Sequence, residues 1–91
     1  MSNIQVIGLG YIGFPLACLL SKKSKIICID TDKTKILNLK KKILPFKEKK
    51  LKDLFEKNFK NLRFQNYIDL TKKKNTYIIC VPTPLKNNKA E

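Results

Sequence analysis

Short, almost continuous hydrophobic runs alternate along this chain with longer segments in which apolar residues recur every three or four positions. Three of the runs, residues 3–8, 25–30 and 76–81, are closed by glycine, aspartate or proline and predict strands buried in a parallel sheet. A shorter segment at 62–64 predicts a further strand. Residues 69–74 are expected to form a turn or a frayed helix.

Three helices are predicted between these strands. The first runs from residue 11 to about residue 23, the second covers 33–42, and the third covers 48–58. Asp32 precedes the second helix and is predicted to be its N-cap. Residues 43–47 contain a proline and are expected to form a loop. Strands that alternate with helices predict an α/β fold, with a partial parallel sheet of about four strands and right-handed crossovers.

The sequence GLGYIG, residues 8–13, directly follows the first strand and opens the first helix. This context makes the GxGxxG spacing informative, because it is the arrangement of a Rossmann-like dinucleotide-binding unit. Gly8 would allow the tight turn, Gly10 the approach of the backbone to a pyrophosphate, and Gly13 the packing of the helix on the sheet. The free N–H groups around Tyr11 and Ile12 would face the phosphates. The alternative is a structural glycine turn that binds no ligand.

Asp30 closes the second strand, 17 residues after Gly13. A carboxylate at this place can accept hydrogen bonds from both hydroxyls of the adenosine ribose, and it repels a 2′-phosphate. The sequence therefore favours NAD over NADP. Lys33 and Lys35 keep NADP open as an alternative, because a cation nearby would attract that phosphate.

The last strand ends at the sequence VPTP, residues 81–84. This strand is expected beside the first one, and ligands of open α/β sheets bind at the carboxyl ends of strands near the point where the strand order reverses. Thr83 is therefore predicted to hydrogen-bond the pyrophosphate or the nicotinamide ribose. The alternative is a strand that ends in prolines and makes no ligand contact.

The charge of the chain raises the question of a nucleic-acid partner. Its 91 residues, the size of one small domain or of part of a larger one, carry a formal net charge of +13. The basic residues are spread along the chain, and only Arg63 is an arginine, although base and phosphate recognition usually recruits arginine. The pattern favours a solvated lysine-rich surface and no nucleic-acid partner. Binding with a steep salt dependence would support the opposite interpretation.

Cysteine usage and the N-terminal segment bear on the compartment. The three cysteines lie in apolar runs without a CxxC pair, and the sequence has no histidine, so no metal site is predicted. Buried free cysteines are typical of a reducing cytosol. Residues 4–20 are apolar but are interrupted by three glycines and a proline, and no basic residue precedes them. We therefore expect no secretory signal, no membrane span and a cytoplasmic location.

Together these motifs resemble the N-terminal domain of the UDP-glucose/GDP-mannose dehydrogenase family over essentially the whole chain. The resemblance is carried by VIGLGYIGFPLA, IDTDKTKI and YIICVPTPL, at residues 6–17, 29–36 and 77–85. The Tyr-Ile pair inside the glycine motif and the VPTP segment are more specific than the glycine spacing. Within the family, the chain is similar to the branch of the Vi-polysaccharide type, which acts on UDP-N-acetylhexosamines. UDP-N-acetylmannosamine and UDP-glucose remain open as substrates.

The resemblance implies a cofactor, a reaction and a set of contacts. The cofactor is NAD, and the reaction consists of two successive oxidations of the C6 alcohol of a UDP-sugar to a carboxylate, through a thioester on a catalytic cysteine, for polysaccharide biosynthesis. The enzymes of the family are expected to be homo-oligomers. Lys35 stands where the family often has arginine. The positions that match the family's NAD contacts are Tyr11, Ile12, Asp30, Lys35 and Thr83.

The family's catalytic cysteine and its lysine, asparagine and aspartate partners belong to motifs that do not occur in this sequence. Cys80 has no base nearby in the sequence and is not expected to form an activated thiolate. We expect residues 1–91 to be the N-terminal part of a Rossmann NAD-binding domain, without the rest of that domain or the catalytic and sugar-nucleotide domains. The chain alone is expected to be inactive. The alternative function is a non-enzymatic NAD-binding module that docks on a partner.

Overall fold

The computed structural model describes residues 3–70 and 75–80, except for the side chain of Asn3. Within these residues, four strands form one sheet in the order β3-β2-β1-β4, and every neighbouring pair is parallel. The α/β fold and the position of the last strand beside the first are therefore confirmed. The strands are β1 at Asn3–Ile7, β2 at Ile26–Ile29, β3 at Leu62–Gln65 and β4 at Asn75–Ile79.

The helices are shorter than the sequence predicts. Helix α1 begins two residues later than predicted, because Tyr11 and Ile12 form a turn before it, and the chain after Leu20 continues as further turns. Pro15 lies in the first turn of α1, where its missing N–H has no helical acceptor to lose. The helices are α1 at Gly13–Leu20, α2 at Lys33–Lys40 and α3 at Lys49–Lys57, and a 3-10 turn follows at Phe59–Asn61.

Acidic side chains cap the N-termini of α2 and α3. The carboxylate of Asp32 accepts the N–H of Lys35 at 3.1 Å, which confirms the predicted N-cap. The sequence places Glu48 inside the third helix, but in the structure it precedes α3, and its carboxylate accepts the N–H groups of Lys50 and Leu51 at 3.0 and 3.3 Å. A glutamate that folds back in this way occupies donors that the helix leaves free.

The C-terminus of α2 closes in a Schellman motif. The N–H of Ile43 donates to the carbonyl of Asn38 at 2.8 Å, and the N–H of Lys42 donates to the carbonyl of Leu39 at 3.0 Å. Lys42 therefore adopts a φ of 65°, in the left-handed region that usually takes glycine. Its ammonium lies 4.8 Å from the centre of the Phe59 ring.

One face of the sheet carries the core. All three helices pack on this face, because each contributes buried apolar side chains to the same cluster. The sheet contributes rows of residues that lie in register across β1, β2 and β3, such as Val6, Cys28 and Phe64. The helical members of the cluster are Phe14, Ala17 and Cys18 from α1, Ile36 and Leu39 from α2, and Leu51 and Phe55 from α3.

The opposite face is covered differently. Gln5 of β1 is fully buried there, and its amide group exchanges two hydrogen bonds with the backbone of Asp69, at 2.8 and 3.1 Å. On β4, however, Tyr77 is 40% exposed and Ile79 is 67% exposed. The prediction of a buried strand is therefore wrong for these two side chains, because the helices α1–α3 all cover the other face.

The described cysteines are free thiols. Cys18 and Cys28 are buried as predicted, whereas Cys80 is half-buried at the end of β4. Burial raises the pKa of Cys18 to about 12, so this thiol stays protonated. None of the helices between residues 3 and 80 that the structure describes is long and apolar enough to span a bilayer.

Candidate functional site: a glycine turn and a carboxylate beside one cleft

A cleft of about 690 Å³ opens at the carboxyl ends of β1, β2 and β3. It is lined by residues 7–10 of the glycine turn, by residues 29–32 with Lys35 at the start of α2, and by residues 66–68 after β3. Gly8, Gly10, Asp30 and Lys35, which the sequence singles out, therefore border the same space. This is the edge of an open α/β sheet where ligands bind.

Gly8 and Gly13 form the tight crossing between β1 and α1. Gly8 has a φ of 97°, which is readily adopted only by glycine, and its N–H donates to the carbonyl of Ile29 at 2.8 Å. A Cβ added to Gly13 would lie 1.7 Å from the carbonyl oxygen of Gly8 and 3.1 Å from the Cβ of Cys80. The helix can approach the turn this closely only because residue 13 has no side chain.

Gly10 differs from the other two glycines, because packing among the described residues does not explain it. A Cβ added there would meet no heavy atom within 4 Å in residues 3–70 and 75–80. The described part of the fold therefore tolerates a side chain at this position. A glycine here leaves the backbone open to a group that approaches from outside, and a phosphate is the kind of group that such a glycine turn admits.

The backbone amides of residues 10–13 make up the polar part of the turn. The N–H of Leu9 donates to Asp30 at 2.9 Å, and the N–H of Phe14 donates to the carbonyl of Gly10 at 3.1 Å. Between them, the N–H groups from Gly10 to Gly13 have no backbone acceptor within residues 3–70 and 75–80. They precede the positive end of the α1 dipole, so the turn can bind an anion.

Asp30 joins the second strand to this turn. Its Oδ2 accepts the N–H of Leu9 at 2.9 Å, and its Oδ1 accepts the N–H of Asp32 at 2.9 Å. The Lys35 ammonium lies 3.5 Å from the same Oδ2 and 3.4 Å from the carbonyl oxygen of Leu9. The side chain of Asp30 is 15% exposed, so these contacts are partly shielded from water. A carboxylate 21 residues away in sequence is thus fixed against the glycine motif.

The charge state of Asp30 follows from these contacts. Burial alone would raise its pKa, but the N–H groups of Asp32 and Leu9 and the Lys35 ammonium together lower the pKa below its ordinary value. The carboxylate is therefore ionised at neutral pH. Since a carboxylate has about four acceptor positions and three protein donors use this one, it keeps capacity for a hydroxyl donor from a ligand.

Tyr11 and Ile12 lie in the turn before α1 rather than in the helix, which corrects the predicted helix start. Their side chains are 83% and 74% exposed. The ring of Tyr11 stacks on Phe46, with 4.5 Å between the centroids and 14° between the planes. Sequence reasoning missed Phe46, because a residue in a loop has no helix or strand periodicity to reveal its partner.

Thr83 falls outside the residues that the structure describes, and its predicted contact stays a prediction. The nearest described residue on that strand is Cys80, whose N–H donates to the carbonyl of Ile7 at 2.7 Å. The described end of β4 therefore reaches the same sheet edge as the glycine turn.

The strand order, the glycine turn and the carboxylate after β2 define a dinucleotide-binding domain of the Rossmann type. The chain belongs to the UDP-glucose/GDP-mannose dehydrogenase family, since its residues 2–91 match the NAD binding domain of that family. The resemblance inferred from the motifs is confirmed, and so is NAD as the cofactor of the domain.

Curated relatives support the same membership. The chain is 38% identical over 87 residues to a UDP-N-acetyl-D-glucosamine 6-dehydrogenase of Salmonella typhi, covering 96% of this chain and 20% of that protein. It is 38% identical over 89 residues to the UDP-glucose 6-dehydrogenase TuaD of Bacillus subtilis strain 168, covering 93% of this chain and 19% of that protein. The chain thus spans about one fifth of the length of these relatives.

Solved structures confirm the fold. The UDP-N-acetyl-mannosamine dehydrogenase Cap5O from Staphylococcus aureus superposes with a TM-score of 0.82 at 27% identity, over 91% of this chain and 20% of that one. A ternary complex of GDP-mannose dehydrogenase from Pseudomonas aeruginosa gives a TM-score of 0.81 at 30% identity, over 97% of this chain and 21% of that one.

Proposed function

We propose that this chain is the NAD-binding portion of a nucleotide-sugar dehydrogenase, and that it holds the cofactor in the cleft beside the glycine turn. The observation that carries the proposal is the hydrogen bond from the N–H of Leu9 to the carboxylate of Asp30, which brings a ribose acceptor next to the diphosphate turn. NAD supplies the hydride acceptor for oxidation of the sugar. The residues of this chain bind and orient it.

The diphosphate would lie against the amides of residues 10–13. These N–H groups have no backbone acceptor among the residues described, and Gly10 leaves the approach to them open. Donors that are already aimed and need no reorganisation bind an oxyanion more tightly than mobile ones. Gly13 contributes indirectly, since it allows α1 to begin directly behind the turn.

The adenosine ribose would lie against Asp30. Its ionised carboxylate accepts hydroxyl hydrogen bonds and repels a 2′-phosphate, which supports NAD over NADP. Lys35 does not reverse this preference in our proposal, because its ammonium is already engaged by the Asp30 carboxylate at 3.5 Å and by the Leu9 carbonyl oxygen at 3.4 Å. The role of Lys35 is to hold Asp30 and the Leu9 carbonyl at the edge of the cleft.

The reaction assigned to the whole enzyme is the oxidation of the C6 hydroxyl of a UDP-sugar to a uronate for polysaccharide biosynthesis. The relatives act, by their names, on UDP-N-acetyl-D-glucosamine, UDP-glucose and UDP-N-acetyl-D-mannosamine. The proposal therefore names the class, a UDP-N-acetylhexosamine or UDP-glucose, and it includes a homo-oligomeric assembly.

We also propose that the 91-residue chain does not catalyse the reaction by itself. Cys18 and Cys28 are buried, and burial raises the pKa of both thiols, so neither is an available nucleophile. Cys80 has no histidine to activate it, since the sequence contains none. The contribution of the 91-residue chain to the reaction is the binding of the cofactor.

Titration of the purified chain with NAD and NADP, followed by saturation-transfer NMR and calorimetry, tests the proposal. We expect NAD to bind more tightly than NADP, and Gly10→Val to abolish binding without unfolding the chain, because a Cβ at this position meets no described heavy atom within 4 Å. Asp30→Asn should weaken NAD binding about tenfold or more, the effect of a lost hydrogen bond to a charged group. Asp53→Asn on the exposed surface of α3 is the matched control. Tighter binding of NADP, or unchanged NAD affinity in Asp30→Asn, would contradict the proposed site.

A further inference from the structure

Phe46 connects the glycine motif to the first turn of α1 and, through it, to the core. Its ring stacks on Tyr11 in the turn, with centroids 4.5 Å apart, and meets Phe14 in the first turn of α1 edge-on, with centroids 6.2 Å apart. Phe14 is fully buried and contacts Phe55 of α3 at 5.5 Å between centroids. A continuous series of aromatic rings therefore runs from the core to the exposed turn.

The centre of the turn has few other attachments. Leu9, before it, is fixed by its hydrogen bond to Asp30, and Gly13, after it, is fixed by its close packing on Gly8. In between, Gly10 has no side chain, and the side chains of Tyr11 and Ile12 are 83% and 74% exposed. The carbonyls of Gly10 and Ile12 accept N–H groups of α1, and the stack of Tyr11 on Phe46 is the ring contact that joins this part of the turn to the neighbouring loop.

The loop that carries Phe46, residues 41–48, is itself fixed at both ends. At its start, the left-handed residue Lys42 and the hydrogen bond from Ile43 to Asn38 set the exit from α2. At its end, the Glu48 carboxylate caps α3. A side chain held between two closed helix ends is a firm support, because few backbone rotations remain free.

We propose that Phe46 is a positioning residue for the diphosphate of the cofactor. It holds the amides of residues 10–12 in the arrangement that binds the anion, through its stack on Tyr11. This inference rests on the proposed function of the turn. Without the stack, the turn must be ordered when the ligand arrives, and this ordering lowers affinity for ligands that contact the turn.

The test compares ligands that contain a diphosphate with one that lacks it. Amide chemical shifts of the full chain are followed during titration with NAD, pyrophosphate and adenosine. Phe46→Ala should weaken NAD and pyrophosphate binding about threefold to tenfold, the range expected for the loss of one aromatic pair, and leave adenosine within about twofold. Leu20→Ala is the control, since Leu20 is also partly buried against the core but lies at the end of α1 that is remote from the turn.

Two further variants separate positioning from general loss of packing. Phe46→Leu keeps apolar volume against Phe14 but cannot stack on Tyr11. It should therefore show most of the loss of NAD and pyrophosphate affinity, with an unchanged free energy of unfolding. Tyr11→Ala combined with Phe46→Ala should be no weaker than either single variant, because both remove the same contact. Wild-type affinity for pyrophosphate in Phe46→Leu, or an equal loss for adenosine, would overturn the inference and leave the proposed function standing. Absence of NAD and pyrophosphate binding by the wild-type chain would instead overturn the proposed function with it.

Discussion

Gly10 and Gly13 lie three positions apart in one turn, and the same added methyl group should affect them in opposite ways. At Gly13 the new Cβ would lie 1.7 Å from the carbonyl oxygen of Gly8 and 2.9 Å from its carbonyl carbon. At Gly10 it would have no heavy atom within 4 Å. Gly13→Ala and Gly10→Ala are therefore matched perturbations, one in a closed space and one in an open space.

The size of the Gly13 effect follows from the distance. A Cβ contact shorter than 3.0 Å forces a shift, so the turn and α1 must separate by about 1.3 Å. The opposing atoms belong to the backbone and cannot rotate away. The free energy of unfolding should therefore fall by an amount at or above the upper end of the usual 1–3 kcal/mol for overpacking, about 3 kcal/mol. The better helix propensity of alanine returns only about 1 kcal/mol. Against a total stability of roughly 5–14 kcal/mol for a chain of this length, we expect a large loss.

Urea unfolding followed by circular dichroism measures both variants. Gly13→Ala should lower the free energy of unfolding by at least about 2 kcal/mol, the net of the two terms. Gly10→Ala should keep or raise it by about 0.4–1 kcal/mol, because alanine restricts the unfolded chain. The Gly10 variant should nevertheless bind NAD more weakly, since its methyl group occupies the approach to the amides. A Gly13→Ala protein within about 0.5 kcal/mol of wild type would refute the close packing of α1 on the turn.

Three other outcomes can be checked on the same purified chain. The pKa of Asp30 is lowered from 3.8 in the folded state, so its ionised carboxylate stabilises the fold above that value, and this contribution is lost as the pH falls through the folded pKa. Denaturation curves should therefore show the stability difference between wild type and Asp30→Asn shrinking over that acid range. Lys42→Ala should lower the free energy of unfolding by about 0.5–1 kcal/mol, because the contact with Phe59 is lost. Lys42→Gly should stay near wild type, because glycine adopts the left-handed backbone without strain and this offsets the lost contact. A thiol reagent should modify Cys18 and Cys28 only after denaturant is added, and rapid modification of either in the folded chain would contradict their burial.

The apolar runs and the motif spacing were enough to predict that the last strand lies beside the first and that the candidate cleft lies at the carboxyl ends of the strands. The apolar runs predict parallel strands, and the sequence places Asp30 at the end of one of them. The glycine turn was assigned from its place between a strand and a helix. These features depend on residues that are close together in the chain, so they can be recognised from the sequence alone.

The ends of elements and the support of the turn depended on contacts between distant residues. Gly13 begins α1 because the turn before it bends toward Asp30, and Glu48 leaves its helix because its carboxylate can fold back to cap α3. One face of β4 is exposed because the described helices all cover the other face of the sheet. Which face they cover depends on packing between distant residues.

What the sequence by itself determined is the set of groups at the candidate site: glycines in the turn before the first helix, a carboxylate at the end of the second strand, and apolar strands beneath them. What only the tertiary structure decided is how firmly these groups are held. Residues 21 and 35 positions apart, Leu9 with Asp30 and Tyr11 with Phe46, meet because the strands align in register and a capped loop crosses the turn. No local pattern encodes such contacts, since they arise only once the sheet and its helices have packed.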